Sequence, residues 1–185
     1  NTVLSASTAL VVAGIGRRLY GVLGGILAGL FFSVLPLSVR FAHLASTDSA
    51  AVLWIAMALL GGVRIVQQGR IQDYVLAGIC AGLAGATKYP AALICIPLAC
   101  ACFLSARRIW QQGLLLTACL SMVTFIVTAP YVVLDMGKAW EDLSEMGQVH
   151  LMSELASTNM PSGVYYLRYA LRYGVGFLGL GVAIL

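Results

Sequence analysis

The candidates for acid, base or phosphate chemistry in this chain fall into three groups. The first runs Arg40-Phe-Ala-His43-Leu-Ala-Ser-Thr47-Asp48. It sets a guanidinium, an imidazole and a carboxylate close together between two apolar runs. Such a set can grip an anionic headgroup and handle hydroxyl protons. The same residues also have a purely structural use. Ser46, Thr47 or Asp48 can cap the helix that follows, while Arg40 and His43 can sit among lipid headgroups.

The second group is Thr87-Lys88-Tyr89-Pro90. A lysine at the end of an apolar run often reaches toward the membrane interface. Here it stands at the tip of a short turn with no polar loop around it, where a cation can hold a lipid phosphate. The third group lies between Pro130 and Arg172. Asp135 follows Pro130-Tyr131, and His150 falls in an acidic stretch that reads as a solvated loop. Pro161-Ser162-Gly163 opens an expected helix. On it Tyr165, Tyr169 and Tyr173 share a face, as do Arg168 and Arg172 at i,i+4 spacing. Those two arginines suit phosphate recognition, or a belt of aromatics and arginines at the interface.

The elements that must position these groups are apolar helices. Of 185 residues, 61% are hydrophobic and 10% are charged, against roughly 25% charged in a soluble domain. A chain so poor in charge cannot coat a water-soluble globule, whereas a bilayer solvates apolar side chains directly. The apolar runs fall at about 2–15, 19–37, 50–66, 74–87, 90–105 and 113–133, with another starting near Gly174. None alternates with strand period over enough segments to make a barrel. The fold class is therefore all-α: a polytopic transmembrane helical bundle of about six complete or near-complete spans plus one truncated span. A partly helical outer loop is expected at about 135–172.

The stretch 74–104 can be read as one kinked helix or as two short ones. Pro90 lacks an amide donor and disfavours helix at Tyr89, and Lys88 fits badly in mid-hydrocarbon. Two helices meeting at Lys88-Tyr89-Pro90 also bring Arg17, Arg18, Arg64, Arg70, Arg107 and Arg108 to one side with Asp73. Clustered Lys and Arg in short loops mark the cytoplasmic side. Arg40, Lys88, Lys138, Arg168 and Arg172 then lie outside, with Asp48, Asp135, Glu141, Asp142, Glu145 and Glu154. An outward-facing position for the chemistry-bearing groups follows from this assignment.

Several classes are excluded. The net charge of +4 is small and scattered, which gives no basic stripe for nucleic acid. No phosphate-binding loop, nucleophile elbow or His-Glu-x-x-His motif occurs, and two distant histidines define no metal site. No cofactor is implied, although a divalent metal is compatible with the chemistry. The five cysteines lie in apolar runs and read as packing residues. Gly21, Gly25 and Gly29, and Gly78 with Gly82, sit at the G-x-x-x-G spacing that lets helices approach closely in lipid.

The ordered set of motifs resembles one family. It comprises Gly16-Arg17-Arg18-Leu19-Tyr20-Gly21, Arg40-x-x-His43-x-x-x-Thr47-Asp48, and Ala77-Gly78-x-x-x-Gly82-Leu83-Ala84 running on to Thr87-Lys88-Tyr89-Pro90. Ala129-Pro130-Tyr131 to Asp135 and Gly163-Val164-Tyr165-Tyr166-Leu167 complete it. The likeness is to polyprenyl-phosphate-dependent membrane glycosyltransferases of C-type fold, in the bacterial protein-mannosyltransferase-like and aminoarabinose-transferase-like branch. The resemblance implies transfer of a sugar from a polyprenyl-phosphate donor to a lipid, protein or glycan acceptor at the outer face, with inversion. It implies Asp48 as a further acidic residue of the site and Lys88, with Tyr89, near the donor phosphate. His43 and Arg40 would line the same cavity. The family's usual base lies in a first outer loop before its second span. The chain opens at Asn1 in an apolar run and stops at Leu185 in another. On this likeness the sequence is expected to be an internal piece of a single transmembrane domain, without the first span, first outer loop, main catalytic carboxylate and C-terminal part.

Two other classes compete. A secondary transporter or permease of a small solute would use Asp48, Lys88 and His43 to line a path. It calls for paired repeats with broken helices and polar residues near the bilayer midplane; no convincing internal repeat is found. A non-catalytic assembly subunit would need only the small-residue spacing.

Overall fold

The computed structural model describes residues 1–44, 46–105, 110–135, 137–138, 140–141 and 144–145. Among them every regular element is helical. In order these are α1 (Thr2–Val34), α2 (Pro36–His43), α3 (Asp48–Gln67), α4 (Ile71–Thr87), a 3-10 segment (Tyr89–Ile94), α5 (Cys95–Phe103), α6 (Trp110–Thr128) and α7 (Pro130–Leu134). α1, α3 and residues 111–128 of α6 are long and apolar enough to cross a membrane; Tyr89–Phe103 is a shorter apolar helix. The chain divides into two compact units, Asn1–Val34 with Ser38–Ala129, and Leu35–Leu37 with Pro130–Leu185.

α1 is two helices folded on each other. A straight helix of 33 residues would be roughly 50 Å long, well beyond a hydrocarbon core of about 30 Å. The chain turns at Gly21, whose φ of 79° lies in the left-handed region that only glycine enters at little cost. The two halves then pack antiparallel through small residues. A Cβ on Gly25 would stand 2.8 Å from the Ala13 carbonyl oxygen, and one on Gly29 would stand 2.9 Å from the Ala13 Cβ. Gly25 and Gly29 thus make helix contact as their spacing suggests. Gly21, the first of that trio, is instead the bend.

The α3–α4 connection is a tight hairpin. The amides of Gln68 and Gly69 both donate to the Arg64 carbonyl, at 2.7 and 3.2 Å, and Gly69 has φ of 58°. This is the left-handed glycine that commonly ends a helix. α4 lies between α3 and α6. Gly61 of α3 meets Ala77 of α4, and on the other side Gly78 and Gly82 meet Thr117, Leu120, Ser121 and Thr124 of α6. At Gly82 a Cβ would come within 2.5 Å of the Ser121 carbonyl oxygen, so backbone touches backbone.

The core follows from the solvent. In lipid, burying an apolar side chain brings no gain from leaving water, so close packing of small residues holds helices together. The buried cluster is accordingly rich in alanine and cysteine: Ala58, Ala77, Cys80, Ala81, Ala84 and Cys102, filled out by Ile65, Tyr74, Ile94 and Leu98. The large side chains Leu23, Leu30, Leu115 and Val123 point outward, each more than half exposed.

Element boundaries differ from the expected runs in three places. The first two runs part at Gly21, within α1, rather than at Arg17-Arg18. The run 19–37 ends at Val34, and Pro36 starts the separate helix α2, so Arg40 and His43 stand on a helix rather than in a loop. The run 113–133 is divided at Ala129, because Pro130 begins α7. Proline favours a first helical turn, where its missing amide leaves no bond unmade. The stretch 74–104 is two helical pieces, as the Pro90 argument requires.

Candidate functional site

Local chemistry sets the Lys88 turn. The Lys88 amide still donates to the Ala84 carbonyl at 3.0 Å, closing α4, but its backbone is extended (φ −155°, ψ 118°). Pro90 occupies the first turn of the following 3-10 segment, and the Lys88 carbonyl accepts from the Ala91 amide at 2.9 Å. The chain thus reverses with the Lys88 side chain projecting from the end of the bundle.

Forty residues earlier, α3 begins beside it. Thr47 occupies the cap position but makes no side-chain cap bond, and Asp48 stands in the first turn. Its carboxylate goes to the lysine: Lys88 Nζ donates to Asp48 Oδ1 at 2.5 Å. The Lys88 side chain is 52% exposed and that of Asp48 24%. The helix N-terminus adds positive potential on the Asp48 side. The result is an ion pair at the mouth of the apolar bundle, half open to its surroundings.

Residues 41–44 and 46–49 are pinned down around this pair. The buried Ser49 hydroxyl donates to the Phe41 carbonyl at 3.0 Å, fastening the start of α3 to α2. The Asn1 side-chain amide donates to the carbonyls of Leu44 and, at 3.0 Å, Ser46. Thr2 adds a longer bond to the Ala42 carbonyl at 3.4 Å. Arg40 and His43 are exposed on α2 within this fastened segment, and Tyr89 is 38% exposed beside the lysine.

Of the third sequence group, Asp135 belongs to the second unit, where its Oδ1 accepts from the Lys138 amide at 3.3 Å in a local turn. His150, Arg168 and Arg172 lie outside the described residues. Among the described residues no cluster of three or more His, Cys, Asp or Glu side chains could hold a metal ion.

Motifs and spacing alone do not single out a second ion pair, at the opposite end. Arg64 Nε lies 2.7 Å from Asp73 Oδ1, and the Asp73 side chain is fully buried. Its other oxygen accepts from the Arg70 amide at 3.1 Å. A signal exists in the sequence all the same. A base in the last turn of one helix and an acid in the first turn of the next suit both helix dipoles and face each other across a short turn. Near this end Arg18 Nη1 donates to Gln67 Oε1 at 3.3 Å, and the Tyr74 and Ser105 hydroxyls lie 2.7 Å apart. Arg18, Arg64 and Arg70 therefore gather at the end away from Lys88. Arg107 and Arg108 lie outside the described residues.

The family profile described as dolichyl-phosphate-mannose-protein mannosyltransferase matches residues 1–133. The chain belongs to that family. The match carries both Asp48 and Lys88 and the helices that position them, and it stops short of Asp135. No curated protein and no solved structure matches the chain. For this mannosyltransferase-family chain, membership makes it a membrane glycosyltransferase, and the apolar helices agree with a place in the membrane.

Proposed function

We propose that the chain works in transfer of a sugar from a polyprenyl-phosphate-linked donor to a lipid, protein or glycan acceptor, at the outer face of the plasma membrane and with inversion. The observation that carries this is the Lys88–Asp48 pair at one end of a lipid-facing bundle, in a chain of the mannosyltransferase family.

In this reading a hydroxyl or amine of the acceptor attacks the anomeric carbon. The bond from that carbon to the phosphate oxygen breaks, and the acceptor proton passes to a carboxylate base of the site. The leaving polyprenyl phosphate keeps the electron pair and gains negative charge. Lys88, assisted by Tyr89 and Arg40, offsets that charge, the type of stabilisation that contributes most in such sites. Asp48 is an acidic group of the site beside the acceptor, and its bond to Lys88 orients the ammonium. His43 lines the same cavity. Arg168, Arg172, Asp135 and His150 are further candidates for the phosphate and the acceptor. Anchoring both substrates at the lipid boundary supplies the proximity term.

The gathering of Arg18, Arg64 and Arg70 at the far end supports an outward-facing Lys88, because cytoplasmic ends collect basic residues. The pair's position at a helix start and a helix end also favours transfer over transport, which would use polar groups near the midplane. The test is turnover of a radiolabelled polyprenyl-phosphate sugar in membranes carrying the enzyme. Sugar should appear in an acceptor with its anomeric configuration reversed. Solute uptake into sealed vesicles without donor consumption would favour the transporter instead.

A further inference from the structure

At the end of the bundle opposite Lys88, an apolar groove of about 520 Å³ runs between α3 and α5. Gly62 and Val66 line one side, Ile96 and Ala101 the other, and Leu19 and Gln67 lie where it meets the turn of α1. The depth is a consequence of glycine: Gly62 leaves Leu98 so close that a Cβ would stand 3.1 Å from it. In a bilayer such a groove accepts an acyl chain. By itself it says nothing of which lipid.

Charge supplies the rest. Arg17 and Arg18 are adjacent and both exposed. Arg18 is fixed to the groove's own lining, since its guanidinium donates to the Gln67 side chain at 3.3 Å and Gln67 Nε2 donates back to the Arg18 carbonyl at 3.0 Å. Among the described residues the ion pairs are Arg64–Asp73 and Lys88–Asp48, and neither uses these two arginines. Arg18 stands at the rim of an apolar groove at a bilayer end, and exposed Arg17 precedes it on the same turn of α1, its Cβ against Gly25. Among the described residues neither is paired with a carboxylate, and cations beside such a groove match the phosphate and one chain of the same lipid.

We propose that this groove binds an anionic phospholipid, one acyl chain lying between α3 and α5 and the phosphate resting on Arg17 and Arg18. The site is remote from the Lys88–Asp48 pair and does not depend on the transferase reading. The bound lipid would brace the turn of α1 against the end of α3, where the Arg18–Gln67 bonds are the polar link.

The test is native mass spectrometry of the detergent-purified protein, titrated with phosphatidylglycerol or with phosphatidylcholine bearing the same two chains. One phosphatidylglycerol should be retained at concentrations where phosphatidylcholine is not. Arg17→Gln with Arg18→Gln should weaken that retention by roughly thirtyfold, at about fivefold per charge. Val66→Trp, which narrows the groove, should reduce retention of both lipids. Equal retention of the two lipids by the wild type overturns the proposal, and that comparison needs no variant to fold. A preference that survives loss of both arginines overturns it as well.

Discussion

Lys88 at the end of α4 and Asp48 at the start of α3 are joined by a 2.5 Å ion pair although forty residues separate them. Both side chains are substantially exposed, so the pair contributes little to stability, about 1 kcal/mol at most. Its effect should be on chemistry. Lys88→Ala is expected to lower sugar transfer on the order of a hundredfold, the usual loss when one donor to a developing anion is removed. Asp48→Asn should also lower it strongly. Thermal unfolding of both variants in detergent should remain within a few degrees of wild type. Wild-type turnover would return the two residues to a surface contact.

The other ion pair should behave in the opposite way. Asp73 is fully buried and Arg64 is 27% exposed. Asp73→Ala strands a partly buried guanidinium and frees the Arg70 amide, which should cost about 2–4 kcal/mol, somewhat under the range for a fully buried pair. A lower thermal midpoint, and undiminished transfer per folded molecule, are the expected results. Arg64→Met with Asp73→Leu together should recover much of the loss, because no charge is left unpaired.

Glycines at helix contacts should separate sharply from those facing open space. Gly82→Ala puts a methyl against the Ser121 carbonyl and the Thr124 Cβ, and α4 and α6 must part. A cost of about 1–3 kcal/mol is expected from such overpacking. A methyl added at Gly14 would meet nothing within 4 Å, so Gly14→Ala in mid-helix should be neutral or stabilising by up to about 1 kcal/mol. Midpoints of thermal unfolding rank the two.

The direction of the chain can be read by labelling. In a background lacking the five native cysteines, single cysteines at Arg18 and at Tyr89 should react with a membrane-impermeant thiol reagent from opposite sides. Tyr89 is expected to label from outside in intact cells, and Arg18 only after permeabilisation. Labelling of both from one side would remove the placement of the site at the outer face.

Hydropathy and proline chemistry are local properties, and what they govern could be read from the residues in order. The all-α class, the apolar helices and the reversal at Lys88-Tyr89-Pro90 follow from runs of apolar side chains and from a residue that cannot donate. So does the placing of the Lys88 cation at an element's end. Partnership between helices is not local. Asp48 could equally have capped its own helix, and only the neighbouring position of α4 diverts its carboxylate to Lys88. Gly21 shares a four-residue spacing with Gly25 and Gly29, yet the folding back of α1 makes it a bend while the other two become contacts. Arg64 and Asp73 had compatible charges in the sequence, and the tight Gly69 turn made them a buried pair. A residue's type fixes what it can bond; which partner it meets depends on how whole helices pack, and in lipid that is decided by small-residue contacts spread along the chain.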